Sequence, residues 1–241
     1  MRSTRIGNIG AHALAGGRSA AGFAVAHAHT TNTNQRIPGS SASIHGVHRF
    51  LLCLALTGCG SKDCPTETSL PETAGTIHRG DKPLTLVGKT LNVGDPLPAV
   101  SLVDGKLAPL DLGALKGKLV VLSVVPSIDT RVCETQTHKV SDSIDKMPAG
   151  TEVITVSRDL PFAQTRFAEE AVVRTKMGSD YHERTFGRQF GLEVKETGLL
   201  ARSVWVIGKD GKVAYRELVD DQGTEPNYDA LLEAVKRAAG T

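Results

Sequence analysis

The chain has 241 residues, of which 40% are hydrophobic and 22% charged, enough to bury one substantial core, and this composition excludes a disordered or fibrous protein. The formal net charge of +2 conceals a split: residues 1–49 carry five Arg and no acidic residue, leaving 23 basic against 26 acidic residues thereafter. A mildly acidic body without clustered Lys and Arg argues against nucleic acid as a partner, and no apolar run reaches the length of a membrane-spanning helix.

In chain order, residues 1–46 are rich in Gly, Ala, Ser, Thr and His without apolar periodicity, and are read as a disordered or mis-assigned leader. Residues 47–59 then follow a secretory signal's layout, with a basic flank at His48-Arg49, an apolar run from Phe50 to Leu56 and a small-residue exit. The ending Leu56-Thr57-Gly58-Cys59 resembles the lipobox of bacterial lipoproteins, a resemblance that implies lipidation of Cys59. It also implies attachment to the cell envelope, periplasm-facing or otherwise extracytoplasmic, by the lipid alone. An organelle transit peptide is the competing reading of the Arg-rich start, a true start at Val47 is the corollary of the signal reading, and a cytoplasmic protein follows if that reading fails. Residues 60–76, small, polar and punctuated by Pro65 and Pro71, read as a flexible tether, so that a single domain occupies residues 77–241.

Within that domain, residues 83–89 suggest a short strand or hairpin and residues 118–125 a continuous β-branched strand buried on both faces, ending at Pro126. A helix over 132–146, a strand over 152–157 and a helix opened by Asp159-Leu160-Pro161 follow. Residues 201–218 read as two strands joined through Asp210-Gly211, and Asn227 caps an amphipathic helix over 230–239. The predicted fold class is α/β, a βαβ half followed by a hairpin and a terminal helix: the order of a thioredoxin-like fold, with a central mixed sheet flanked by helices.

Four cysteines are unevenly placed, Cys53, Cys59 and Cys64 near the start and Cys133 alone in the body, so no disulfide framework can staple the domain. No Cys-x-x-Cys occurs, and His78, His138 and His182 lack metal-ligand spacing, so neither metal nor cofactor is expected. Cys133 falls just past a buried strand in the first turn of a helix. Free amide donors and the positive dipole end there favour a thiolate nucleophile. A buried, inert thiol is the competing reading.

Pro126, Thr130 and Cys133 form Pro-x-x-x-Thr-x-x-Cys, which resembles the active-site motif of peroxiredoxins. Ser157-Arg158-Asp159-Leu160-Pro161-Phe162-Ala163-Gln164-Thr165-Arg166-Phe167 and Asp220-x-x-x-Thr224-Glu225-Pro226-x-Tyr228 are similar to segments of its thiol peroxidase subfamily. The resemblance implies that Cys133 attacks hydrogen peroxide or an organic hydroperoxide and becomes a sulfenic acid. In that scheme Thr130 bonds sulfur and peroxide, Pro126 shapes and shields the site, and Arg202 supplies a permanent cation. Without the resemblance Arg202 reads as an ordinary surface arginine. Where the subfamily's atypical two-cysteine members carry a resolving cysteine, this chain has Ala168. Recycling then falls to an external thiol such as a thioredoxin-like protein, to a second protomer, or to Cys64 as a possible resolving residue on the tether; family members are commonly homodimers. A lipid-anchored binding protein, or a thiol-disulfide protein without peroxidase turnover, is the alternative.

Overall fold

The computed structural model describes residues 69–240. The readings of the leader, of the signal with Cys59, and of Cys64 lie outside these residues. Among the described residues ten strands and four α-helices follow one another in the order β1 (Glu72–Arg79), β2 (Lys82–Val87), β3 (Ser101–Val103), β4 (Pro109–Asp111), β5 (Val120–Val124), α1 (Arg131–Asp142), β6 (Glu152–Ser157), α2 (Pro161–Glu170), β7 (Lys176–Ser179), α3 (Thr185–Phe190), β8 (Glu193–Val194), β9 (Ser203–Ile207), β10 (Val213–Leu218) and α4 (Tyr228–Ala239). Seven strands form a mixed sheet in the order β10-β9-β5-β6-β7-β3-β4, and β1, β2 and β8 form a separate small one. This is the α/β architecture expected from the sequence.

The centre of the sheet explains the unbroken apolar run of β5. Its strand is parallel to β6 on one side and antiparallel to β9 on the other, and all five of its residues are buried. Alternation sends Val120, Leu122 and Val124 into a core with Phe186, Phe190 and Trp205, while Val121 joins Val204, Val206, Leu231 and Val235 on the opposite face. Trp205, the single tryptophan, is wholly buried; its indole N–H donates to Ser203 Oγ at 2.9 Å and its ring meets Phe190 edge-on.

The strand and helix ends follow local chemistry. Asn227 caps α4 by accepting the Ala230 N–H at 3.0 Å, and Pro161 occupies the first turn of α2, where its missing N–H costs nothing. The β9–β10 turn places Gly211 at φ +78°, as Asp-Gly foretold. Two boundaries differ from expectation. The reading that drew a tether through Thr76 is corrected, because β1 begins at Glu72 and pairs with β2 out to Glu72 opposite Val87, with a bulge between Ala74 and Ile77. The helix expected over 132–146 is split into α1 and a 3-10 turn at Ile144–Lys146.

The small sheet shares the main core through Ile77, Leu86 and Val194, and one of its ties to the body bears on the site. His78 of β1 donates its N–H to the Asp220 carbonyl at 2.7 Å and accepts the Gln222 N–H at 2.8 Å. These two bonds make the segment 220–222 a continuation of the hairpin.

The C-terminus of α2 carries visible strain. Val172 N–H turns back to the Glu169 carbonyl and Val173 N–H to the Ala168 carbonyl, the two bonds of a Schellman ending, which puts Val172 at φ +52°. Glycine is the usual occupant of that position, and a β-branched residue there costs about 1–2 kcal/mol. Val172 is 81% exposed, so its side chain returns little through burial. Val172→Gly is therefore expected to stabilise the protein by roughly 1 kcal/mol after the entropy cost of glycine, raising the thermal midpoint by about 2–4 °C. A calorimetric midpoint equal to or below the parent's would contradict this account.

Candidate active site

The loop between β5 and α1 and the first turn of α1 carry the reactive candidate. Cys133 is the third residue of α1, fully buried, and packs with Val125 and Ile128 beneath Ala163, Phe167 and Met177. Thr130 is the N-cap residue of α1, yet its hydroxyl makes no bond to the helix backbone. It donates instead to Cys133 Sγ at 2.9 Å, with the Ser127 carbonyl a longer alternative at 3.4 Å. The side chain that ordinarily satisfies a helix end is here turned onto the sulfur.

Arg202 lies immediately before β9, and the strand carries it to the same sulfur. Its Nη2 donates to Cys133 Sγ at 3.2 Å, its Nη1 to Gln136 Oε1 at 2.7 Å, and its Nε to the Gln222 carbonyl at 3.3 Å. The side chain is 2% exposed, so the sequence-level reading of a surface arginine does not hold. Among the described residues no carboxylate reaches the guanidinium at ion-pair distance. Glu225 feels the Arg202 charge, but its oxygens are engaged by Lys139 and by the Tyr228 hydroxyl. Burial alone would raise the Glu225 carboxyl; those two donors and the nearby cations hold it below the ordinary range, while burial and the facing Glu225 push the Tyr228 phenol well up. Burying a guanidinium among neutral acceptors costs several kcal/mol unless an anion offsets it. Cys133 sulfur is the one group at the guanidinium that can become that anion.

Three residues that the sequence left without a role build this arrangement. Gln136, one helical turn after Cys133 and fully buried, donates to Ser123 Oγ at 3.0 Å while receiving Arg202. Asp159, in the turn between β6 and α2, braces the β5–α1 loop. One of its oxygens accepts the Ser127 hydroxyl at 2.7 Å, and the other accepts the Ile128 N–H at 2.8 Å and the Ser157 hydroxyl at 2.6 Å. Arg158 reaches the other way, pairing with Asp180 and Glu193 and donating to the Gly198 carbonyl in the segment that leads to Arg202. A polar residue at a buried helical spacing was the available signal for Gln136. For Asp159 and Arg158 it was only their place in the segment similar to the thiol peroxidase subfamily.

Pro126 is half-buried and lines a small cavity of about 50 Å³ with Leu84, Val194, Leu199, Leu200 and Gln222. Larger clefts of about 430 and 590 Å³ hold none of Pro126, Thr130, Cys133 and Arg202, and the donors converging on sulfur mark the chemistry better than cleft size does. Ala168 lines the 590 Å³ cleft beside Leu110, Val173 and Met177, whereas Ala163 and Phe167 of the same helix pack on the Cys133 cluster. Among the described residues no other cysteine accompanies Cys133, and no group of His, Cys, Asp and Glu is arranged to hold a metal.

Comparison with known proteins bears on this geometry. The family model for Redoxin matches residues 92–232. A thiol peroxidase from Bacillus subtilis (strain 168) is 41% identical over 155 residues, covering 64% of this chain and 92% of its own. One from Streptococcus sanguinis is 44% identical, covering 64% and 94%. Among solved structures, a peroxiredoxin-like protein from Aquifex aeolicus superposes with a TM-score of 0.64 at 40% identity, over 68% of this chain and 98% of that one.

Proposed function

The chain belongs to the redoxin family and is a thiol peroxidase of the peroxiredoxin class with a thioredoxin-like fold, and from that premise we propose a catalytic cycle centred on Cys133 and completed by an external thiol. The observation that supports the assignment is the convergence of Thr130 Oγ1 and Arg202 Nη2 on one buried sulfur. The Cys133 thiolate attacks the terminal oxygen of a hydroperoxide; the S–O bond forms as the O–O bond breaks, and the departing oxygen takes up a proton to leave as water or an alcohol. Arg202 and Thr130 donate to the charge that shifts from sulfur to oxygen, which is where preorganised donors lower a barrier most. Pro126, having no N–H, contributes a wall without competing for the sulfur. A reducing thiol then attacks the sulfenic sulfur, water departs, and a second thiol resolves the mixed disulfide.

With Ala168 in α2, resolution falls to a partner outside the described residues: a thioredoxin-like protein in the simplest scheme, Cys64 in the alternative. Intact mass of the reduced full chain, before and after one equivalent of hydroperoxide, separates them. A gain of about 16 mass units that requires Cys133 marks a one-cysteine enzyme with an external reductant. A loss of about 2 mass units abolished by Cys64→Ser marks an intramolecular disulfide. No change within seconds would remove the peroxidase cycle and leave a binding or thiol-disulfide protein, a reading that the relatives 41% and 44% identical, both thiol peroxidases, do not favour.

The Leu56-Thr57-Gly58-Cys59 ending supports attachment to the bacterial envelope through a lipid on Cys59. Loss of the membrane-bound fraction in Cys59→Ala cells is the expected result, and unaltered fractionation would return the protein to the cytoplasmic reading. Exposed Leu160 and Phe162, 53% and 62% accessible at the start of α2, support a homodimer formed near the active site. Sedimentation of a monomer at micromolar concentration would exclude it.

A further inference from the structure

Gln222 lies within the segment similar to the thiol peroxidase subfamily, at a position to which no role has been given above. It is 4% exposed and holds Arg202 twice. Its side-chain Oε1 accepts the Arg202 main-chain N–H at 2.5 Å, and its own carbonyl accepts Arg202 Nε at 3.3 Å. The amide has one chemically sensible orientation, because its Nε2 donates to the Val219 carbonyl at 2.5 Å; turned over, it would set donor against donor and acceptor against acceptor. The main chain of Gln222 is fixed in turn by its N–H bond to the His78 carbonyl. One residue therefore locks both the backbone from which Arg202 springs and the guanidinium that reaches Cys133, and the β1–β2 hairpin anchors that residue.

We propose that Gln222 is the positioning residue for Arg202, setting the guanidinium's distance to Cys133 sulfur, with the hairpin as its support. The inference rests on the assignment of Arg202 to the reacting sulfur. A guanidinium contributes most when it is held before the reaction rather than recruited during it, and a displacement of about 1 Å can cost orders of magnitude in rate. Gln136 alone would leave the arginine fixed at one nitrogen. The two bonds to Gln222 fix its root and its elbow.

The test is a double-mutant cycle on the full chain, measuring kcat/KM for a hydroperoxide with saturating reductant in the parent, Gln222→Leu, Arg202→Met and the double variant. Gln222→Leu keeps the volume, removes the acceptor from the Arg202 N–H, and is expected to lower kcat/KM about tenfold, the equivalent of about 1.4 kcal/mol. In the Arg202→Met background the same substitution is expected to change the rate by less than about twofold, since its effect travels through the arginine. Equal losses in both backgrounds would mean that Gln222 acts independently of Arg202, and an unaltered rate in Gln222→Leu would mean that it does not act; either result overturns the proposal. Should the leucine variant not fold, Gln222→Asn, which keeps the amide but withdraws it by one methylene, enters the same cycle with the same criteria. An Arg202→Met protein as fast as the parent would instead overturn the assignment on which the inference rests.

Discussion

Arg202→Met is expected to lower kcat/KM for hydroperoxide by about 10²–10³ while leaving the fold intact, the loss typical of removing one preorganised donor from a developing charge. Among the described residues the guanidinium provides the sulfur's one cationic donor, at 3.2 Å, and methionine fills similar space without charge or N–H groups. Stability should move less than activity. Gln136 Oε1 and the Gln222 carbonyl each lose a donor, which costs stability. Against that, a buried cation without a carboxylate partner is removed, and that removal is favourable. We expect the two effects to leave the unfolding free energy within about 2 kcal/mol of the parent. Stopped-flow peroxide consumption beside a urea titration checks both halves; a parent-like rate would show that the sulfur does not depend on this cation.

Arg158→Met should have the opposite signature, a large loss of stability. Arg158 and Asp180 have side-chain exposures of 5% and 1%, and Glu193 beside them 12%. Breaking such a network from one side strands a carboxylate in the interior and costs about 3–5 kcal/mol, a fall in thermal midpoint of roughly 10 °C at this size. The Gly198 carbonyl also loses its donor, so the segment leading to Arg202 loosens. The pH dependence has a definite sign. Burial holds the Asp180 carboxyl above its ordinary 3.8, offset in part by the N–H groups of Gly187 and Phe186 and by Arg158; without the guanidinium it rises further. A carboxyl raised on folding binds its proton more readily in the native state, so its cost appears as pH climbs above about 4 and is relieved on acidification. Glu193 runs the other way: burial would raise it, but Arg158 and Arg188 hold it below 4.5, and the stability it gives is lost as pH falls. Both effects shrink the difference between parent and variant on the acid side. Chemical denaturation at pH 7 and pH 5 should therefore show a smaller penalty at pH 5; a penalty independent of pH would deny Asp180 its part.

The central half of the fold was legible because its signals are local. The β-branched run of β5, the Pro161 start of α2, the Asp210-Gly211 turn and the Asn227 cap each state their geometry within a few residues. What was missed depends on partners far along the chain. β3, β4 and β8 are two or three residues long, too short for a period, and exist because other strands pair with them, β4 and β8 at sheet edges and β3 between β7 and β4. The first five residues of β1 are exposed and small or polar, which reads as tether; only pairing with β2 makes them part of a strand. The same distinction holds at the site. Cys133 and Thr130 sit three residues apart and can be read together, and Arg202 could be placed with them only by resemblance to a family. The Asp159 clamp on the β5–α1 loop and the seat formed by Gln222 need the folded chain, since they join residues about 30 and 20 positions apart.

Trp205 lies on the strand that Arg202 begins, three residues downstream, with its indole bonded to Ser203 and the Arg216 guanidinium 5.8 Å above its ring. As the chain's one tryptophan it gives the protein an intrinsic fluorophore in the core, three residues along the chain from Arg202 and free of background from any other indole. Its burial places native emission at the short-wavelength end of the tryptophan range, and unfolding must shift it to the red. Every variant discussed above can thus be followed for folding by its own emission, without a label.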